Sequence, residues 1–367
     1  MDGLRALACS LVFAVHWQQT TGVGRTFGPF DFKRLLLNGN TGVALFMVLS
    51  GYLLSLPLYS MPIEQRLRRP LPHYWRNRAC RILPAYWLCL LLLALASANF
   101  RSPAHLLDVL LHATFLHNFR PETIYSISSP FWAIAVFAQF YVVFYLVVVA
   151  LRVVGTIADR AIVIAFFLVA VGGQGIATAM FYLPSDMMLD VPDGWSGANT
   201  ICLEHSLVIH LPIFWFGIVA GAIHRRLPKD HNFIADVGIL TSVILMVIIL
   251  GTDLDEHLQI EGTRYNFPII PSLLAAALVA TPRSRLALAI VEMRAVRWLG
   301  VVSYAFYLFH LPAMEAMARI ASEFQIPWQT HPLAFGITTS AATFVASHLS
   351  YQLVERPLQS RFRKSVA

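Results

Sequence analysis

What this chain can fold into is decided first by the recurrence of apolar stretches about as long as a bilayer is thick. Runs such as VALFMVLSGYLL (43–54) and FWAIAVFAQFYVVFYLVVVAL (131–151) leave no stripe for water to wet. Spans of roughly 20 apolar residues match a hydrocarbon core of about 30 Å, and a helix satisfies its own backbone groups there. Ten stretches qualify as crossings: about 3–20, 41–59, 83–99, 131–151, 160–182, 206–224, 233–251, 268–281, 298–317 and 333–353. Composition agrees, since only 13% of the 367 residues are charged, against roughly 25% in soluble domains. The expected fold class is all-α, a polytopic membrane bundle of about ten transmembrane helices. An eleventh run, 103–118, is shorter and holds Asp108 and three histidines (His105, His112, His117), so it reads as an interfacial or re-entrant helix with a polar face.

Basic residues orient the bundle, because Lys and Arg accumulate on the cytoplasmic side. With the N-terminus inside and 103–118 not crossing, 20 of the 27 Lys and Arg fall on the inner face and seven on the outer. The inner set includes Arg5, the six arginines between 66 and 81, Arg152 and Arg160, Arg225 and Arg226, and Arg356. If 103–118 crossed, every later cluster would flip and the asymmetry would collapse. Both termini are therefore expected in the cytoplasm, and the net charge of +7 with a pI near 9.4 reports topology rather than nucleic-acid binding. Acidic residues gather in two outer loops, Asp186, Asp190, Asp193 and Glu204, then Asp253, Asp255, Glu256 and Glu261. The first run reads as a retained span rather than a cleaved signal. Residues 1–355 are expected to form one transmembrane domain and 356–367 a short basic cytoplasmic tail. The four cysteines, Cys9, Cys80, Cys89 and Cys202, show no metal-binding or disulfide spacing, so no metal is expected.

Ionisable groups inside a membrane are costly and mark function. RALACSLVFAVH (5–16) begins with Arg5 and ends with His16. Eleven residues advance a helix by three turns and about 20°, so the two share a face some 16 Å apart along the axis. A charge stands at the membrane edge with an imidazole at mid-depth. In RNRACRILPAYW (76–87), Arg78 and Arg81 are three apart, hence neighbours on one face, at what reads as a helix N-terminus with Pro84 in its first turn. Paired guanidiniums suit phosphate. In SYAFYLFHLP (303–312), His310 lies near mid-depth and Pro312 is expected to kink or break the helix beyond it, freeing carbonyls. His348 is a weaker candidate. The absence of H-E-x-x-H, Walker A, G-x-S-x-G and G-x-G-x-x-G motifs removes support for hydrolase, ATPase and dehydrogenase chemistry.

Six collinear blocks then resemble the acyltransferase-3 family of integral membrane, O-antigen acetylase-like enzymes. DGLRALA followed by VH matches its R-x10-H opening, and NTGVALFMVLSGYLL resembles its second span. RNRACRILPAYW matches its R-x-x-R element, and FWAIAVFAQFY resembles its W-S-[LI]-[AS]-V-E-x-Q-F-Y. GVVSYAFYLFHLP and SYQLVERPL match the closing blocks. The resemblance implies an enzyme of the bacterial cell inner membrane. It would move an acyl group, acetyl first, from cytoplasmic acyl-CoA to a hydroxyl of a cell-envelope glycan or other glycosylated acceptor. Acyl-CoA would be the co-substrate, with no bound cofactor. His16 would be the catalytic base or an acyl carrier, and both roles stay open. Arg5, Arg78 and Arg81 would bind acyl-CoA, with His310, Trp132 and Tyr141 in support. One departure stands out: Ala133 and Phe137 occupy the family's Ser and Glu positions, while Trp132, Gln139, Phe140 and Tyr141 are kept. Ala44 stands where many members carry Asp. The alternative is thus a catalytically impaired relative that binds acyl-CoA or transports a lipid or glycan.

Overall fold

A computed structural model describes residues 1–68, 72–97, 102–182, 201–228, 230–260 and 263–364. Asp186, Asp190, Asp193 and Glu261 of the acidic loops, and Arg69, Arg101 and Lys229, lie outside the described residues. The chain is helical nearly throughout. Helix α1 (Asp2–Thr21) ends on Gly22, whose φ of 67° is left-handed and open to glycine. A two-residue hairpin pairs β1 (Thr26–Phe27) with β2 (Phe30–Asp31), and Asp31 caps α2 (Phe32–Leu37). Then come α3 (Thr41–Tyr59), α4 (Ile63–Arg68), α5 (Pro72–Ala96) and α6 (Pro103–Ala113). Next are α7 (Phe131–Val153), α8 (Asp159–Tyr182), α9 (Leu207–Arg226) and α10 (Phe233–Gly251). The chain closes with α11 (Leu254–His257), α12 (Ile269–Ala280), α13 (Arg285–Val291), α14 (Arg294–Glu323), α15 (Pro332–Ser350), a π-helical turn Tyr351–Glu355, and α16 (Arg356–Lys364).

Among the described residues, six helices are long and apolar enough to cross a membrane: Phe32–Tyr59, Tyr74–Ala96, Phe131–Val153, Asp159–Ile176, Ile201–Arg226 and Phe233–Gly251. A seventh is possible if Ile269–Arg283 and Arg285–Val291, bent by 92°, count as one. Their outer surfaces are apolar. Phe233 and Ile234 on α10 are about four-fifths exposed, apolar surface of the kind that meets a membrane or a partner chain. The run at 103–118 does not make a crossing helix: α6 has 11 residues, about 16 Å.

Two compact units divide the contacts, residues 1–46, 70–89 and 228–367 in the first and 47–69 and 90–227 in the second. In the first, α1 lies along α14, with the backbone of Gly300 against Asp2 and Phe13 5.8 Å from Phe306. Both helices start at the same end. Helix α15 runs back, since the Trp17 indole donates to the Pro332 carbonyl at 2.9 Å and Trp298 packs on His348 at 5.5 Å. In the second unit α3 and α9 cross at glycines. Gly51 meets the carbonyl of Phe214, Gly217 that of Val48, and Gly221 the Ser55 hydroxyl. Small residues at a G-x-x-x-G spacing let backbones touch where lipid supplies no hydrophobic drive.

Candidate functional site

Helix α1 is continuous from Asp2 to Thr21, so the shared face of Arg5 and His16 holds. Packing of α1 on α14 brings His16 to His310, ring centroids 5.0 Å apart and planes at 39°. His310 is buried; Nδ1 is 2.6 Å from the Tyr307 carbonyl and Nε2 has no hydrogen-bond partner among the described residues. A carbonyl only accepts, so Nδ1 carries the proton and Nε2 is the basic nitrogen. His16 Nδ1 is 3.0 Å from the amide oxygen of Gln19 one turn on, which leaves the same nitrogen basic. His16 is half-buried with the fully buried His310 behind it, so His16 Nε2 is the one of the two placed for proton transfer or nucleophilic attack.

The arginines stand in the same unit. Arg5 is held by Asp2 at 2.6 Å. Helix α5 begins at Pro72 rather than near Ile82, so Arg78 and Arg81 are inside a helix, and Pro84 is not in a first turn. The helix-terminus contribution to anion binding therefore falls away, because its orphan amides lie too far back. The shared face of the pair remains, with Arg78 5.9 Å from the Tyr74 ring. Two contacts fix the register of α5 against α14: the Tyr304 hydroxyl donates to the Ile82 carbonyl at 3.1 Å, and the Cys89 thiol to Leu308 at 3.6 Å. The helices run parallel. Four residues from Arg78 to Ile82 plus six from Tyr304 to His310 amount to roughly 15 Å of rise. That is close to the Arg5–His16 spacing.

Pro312 does not break α14, which continues to Glu323. Proline removes the amide that would bond four residues back, and the carbonyl so freed is that of Leu308, taken by Cys89. His348, beside Trp298, is twelve residues along α14 from His310 and outside the pair.

Two residues that spacing did not single out adjoin these groups. Gln19 orients His16; its signal was a polar side chain three residues on. Glu355 is buried in the π-helical turn, accepting from Ser350 at 3.3 Å. Burial pushes its carboxyl up to about 7, opposed by the Ser350 hydrogen bond and the charge of Arg81. Its neighbours Arg356 and Pro357 made it look like the start of a solvated tail.

The supporting residues Trp132 and Tyr141 belong to the second unit. Nine residues apart on α7, they face opposite sides of it. Trp132 packs between His205 (4.8 Å) and His210 (5.3 Å). Phe137 packs edge-on against Phe214 at 5.5 Å, and Ala133 and Ala44 are buried. Gln139 donates to Asn118 at 2.9 Å and to the Phe115 carbonyl at 3.1 Å. The polar face expected of 103–118 points inward instead. His112 and His117 are buried and stacked 3.9 Å apart, His112 lies 3.1 Å from Asp108, and Leu106, Leu107 and Leu110 are exposed. Burial and the neighbouring His112 push His117 down to about 3. No cluster of three metal-ligating side chains occurs among the described residues.

A family model described as "Acyltransferase domain" matches residues 1–351. The chain is 25% identical over 379 residues to the Bacillus subtilis (strain 168) protein named "Putative peptidoglycan O-acetyltransferase YrhL", covering 98% of this chain and 55% of that one. It is 24% identical over 391 residues to "Peptidoglycan O-acetyltransferase OatA" of Listeria monocytogenes, with the same coverage, 98% and 55%. The chain thus spans about half the length of the curated relatives it matches. No solved structure matches it.

Proposed function

The chain belongs to the acyltransferase family whose model spans it, and from that premise we propose that it is a multi-pass O-acyltransferase. It moves an acyl group, acetyl first, from acyl-CoA at the cytoplasmic face to a hydroxyl of a cell-envelope glycan. Peptidoglycan enters as a candidate acceptor because relatives carry it in their names. The observation that carries the reading is the His16–His310 pair standing roughly 15–16 Å along its helices from Arg5, Arg78 and Arg81, within one unit. The phosphates of the donor meet the arginines, and its long pantetheine arm carries the thioester to His16. As base, His16 Nε2 takes the acceptor hydroxyl proton while that oxygen attacks the thioester carbonyl, and the leaving thiolate is protonated by the imidazolium. As carrier, Nε2 attacks first, the CoA thiol leaves, and the acceptor then takes the acyl group. The wider reading includes ten spans with both termini in the cytoplasm of a bacterial inner membrane.

The test is base-labile acetate on envelope glycan from cells producing the full chain, beside acetyl-CoA affinity of the purified protein. His16→Ala should abolish added acetate, with insertion and donor affinity kept. Near wild-type acetate in that variant removes His16 from the mechanism, and no acetyl-CoA binding by the wild type removes the donor. Phe137, apolar and packed on Phe214, supports a second reading, a relative without turnover. Donor binding by the wild type with no acetate transferred would select it.

A further inference from the structure

Where α3 ends, α8 begins and α9 ends, the second unit holds an open pocket of about 380 Å³, lined by Met61, Arg66, Asp159, Arg160, Arg225 and Arg226 among others. Arg66 is its foundation. Only 1% exposed, it donates to the carbonyls of Tyr59, Met61 and Ile157 and to Asp159 at 2.7 Å. These bonds tie the turn after α3 to the first residues of α8. Asp159 is shared with Arg225 at 3.5 Å, so the lining's single carboxylate is already engaged. Arg160 and Arg226 have no acidic partner among the described residues and are exposed. Four guanidiniums face one carboxylate beside the first turn of α8, a helix of 24 residues, whose free amides and dipole add positive potential.

We propose that this pocket binds a phosphate-bearing anion, the phosphate of a lipid headgroup or of a soluble phosphate ester. Orientation of the chain needs only net positive charge near a span end. It requires neither a concave site nor a buried arginine holding the walls in place. A tetrahedral phosphate accepts from Arg160, Arg225 and Arg226 together and offsets the repulsion among them, and guanidinium forks match its oxygens. This site does not rest on acyl transfer, and none of its residues is among those assigned to that reaction.

The experiment uses the full chain in nanodiscs of neutral phosphatidylcholine, measuring the thermal midpoint and apparent affinity with two probes. One is inorganic pyrophosphate in solution; the other is phosphatidylglycerol blended into the disc. A rise of the wild-type midpoint with either probe is expected, and the probe that acts identifies the source. Arg160→Gln combined with Arg226→Gln should weaken binding about tenfold or more, the scale of lost charge-assisted contacts. Arg160→Lys with Arg226→Lys should lose less. Arg66 is left intact because its removal would unfasten the turn. No rise with either probe, or undiminished affinity in the double glutamine variant, overturns the proposal. His16→Ala should bind both probes as wild type does, which separates failure here from failure of the catalytic reading.

Discussion

His16 and His310 are 294 positions apart, yet each was suspect for the same physical reason, the cost of an imidazole at mid-membrane. Their meeting was not legible. The Arg5–His16 spacing is local and follows from helix geometry, whereas the pair depends on how α1 lies along α14. Glu355 was hidden for the opposite reason, since a charge beside Arg356 reads as solvated until packing shows it buried. Its carboxyl, pushed up to about 7 by burial, binds a proton in the folded chain where an unfolded glutamate, near 4.3, has lost it. That raised value contributes stability below the unfolded pKa and loses it as pH rises through 7. The thermal midpoint of the wild type should therefore fall between pH 5 and pH 8 relative to Glu355→Gln; parallel profiles would refute the assignment. Arg78 and Arg81 offer a sharper separation. Lysine keeps the positive charge that orients the chain but loses the bidentate fork. Each charge-assisted contact to phosphate contributes roughly 1.5–3 kcal/mol, so Arg78→Lys or Arg81→Lys should weaken acyl-CoA binding about tenfold or more. Unchanged affinity by calorimetry would leave both as anchors of topology.

At the scale of the element, apolar periodicity located most helices but placed their ends poorly. Helix α5 starts about ten residues before its apolar stretch because RNRAC is compatible with helix although not with lipid, and this moved Arg78 and Arg81 from a terminus to an interior. Proline misled at α14, where the missing bond is made good by Cys89 rather than by a break. Helix α6 turns its histidines inward and leaves Leu106, Leu107 and Leu110 exposed, a partition that its polar residues alone did not reveal. The glycines of α9 were legible as residues but not as a crossing, which needed Gly51 of α3 opposite them. A side chain at Gly217 would run into the backbone of Val48 and Tyr52, which cannot yield as a flexible side chain can. Gly217→Leu should thus cost about 1–3 kcal/mol or more from overpacking, read as a lowered thermal midpoint in detergent. Gly238→Leu, where nothing lies within 4 Å of an added Cβ, should leave the midpoint near wild type. Equal behaviour of the two would mean the α3–α9 crossing is not close-packed.

For the whole molecule, recurrent long apolar stretches point to a helical multi-pass membrane protein, while the number of crossings depends on helices whose apolar signal is weaker. Helices α1, α14 and α15 are 20, 30 and 19 residues long, but their polar and small residues, His16 and His310 included, dilute the apolar signal by which spans are recognised. Orientation can be tested without that count. Helix α7 has 23 residues, a rise of about 34 Å, so residues before Phe131 and after Val153 lie at opposite ends of it. Met61, Pro62, Ile63 and Arg66, residues 158–160, and Arg225 with Arg226 line one pocket and therefore share a side. Under the proposed orientation, in which the excess of Lys and Arg marks the inner face, that side is the cytoplasmic one. A reporter fused after residue 120 should read outside, and reporters after 155 and 228 should both read inside. Were 103–118 to cross, the sign would reverse at every later position while those two still agreed with each other. A reporter at 120 reading inside would accordingly overturn the orientation, whereas disagreement between 155 and 228 would overturn the pocket that joins them.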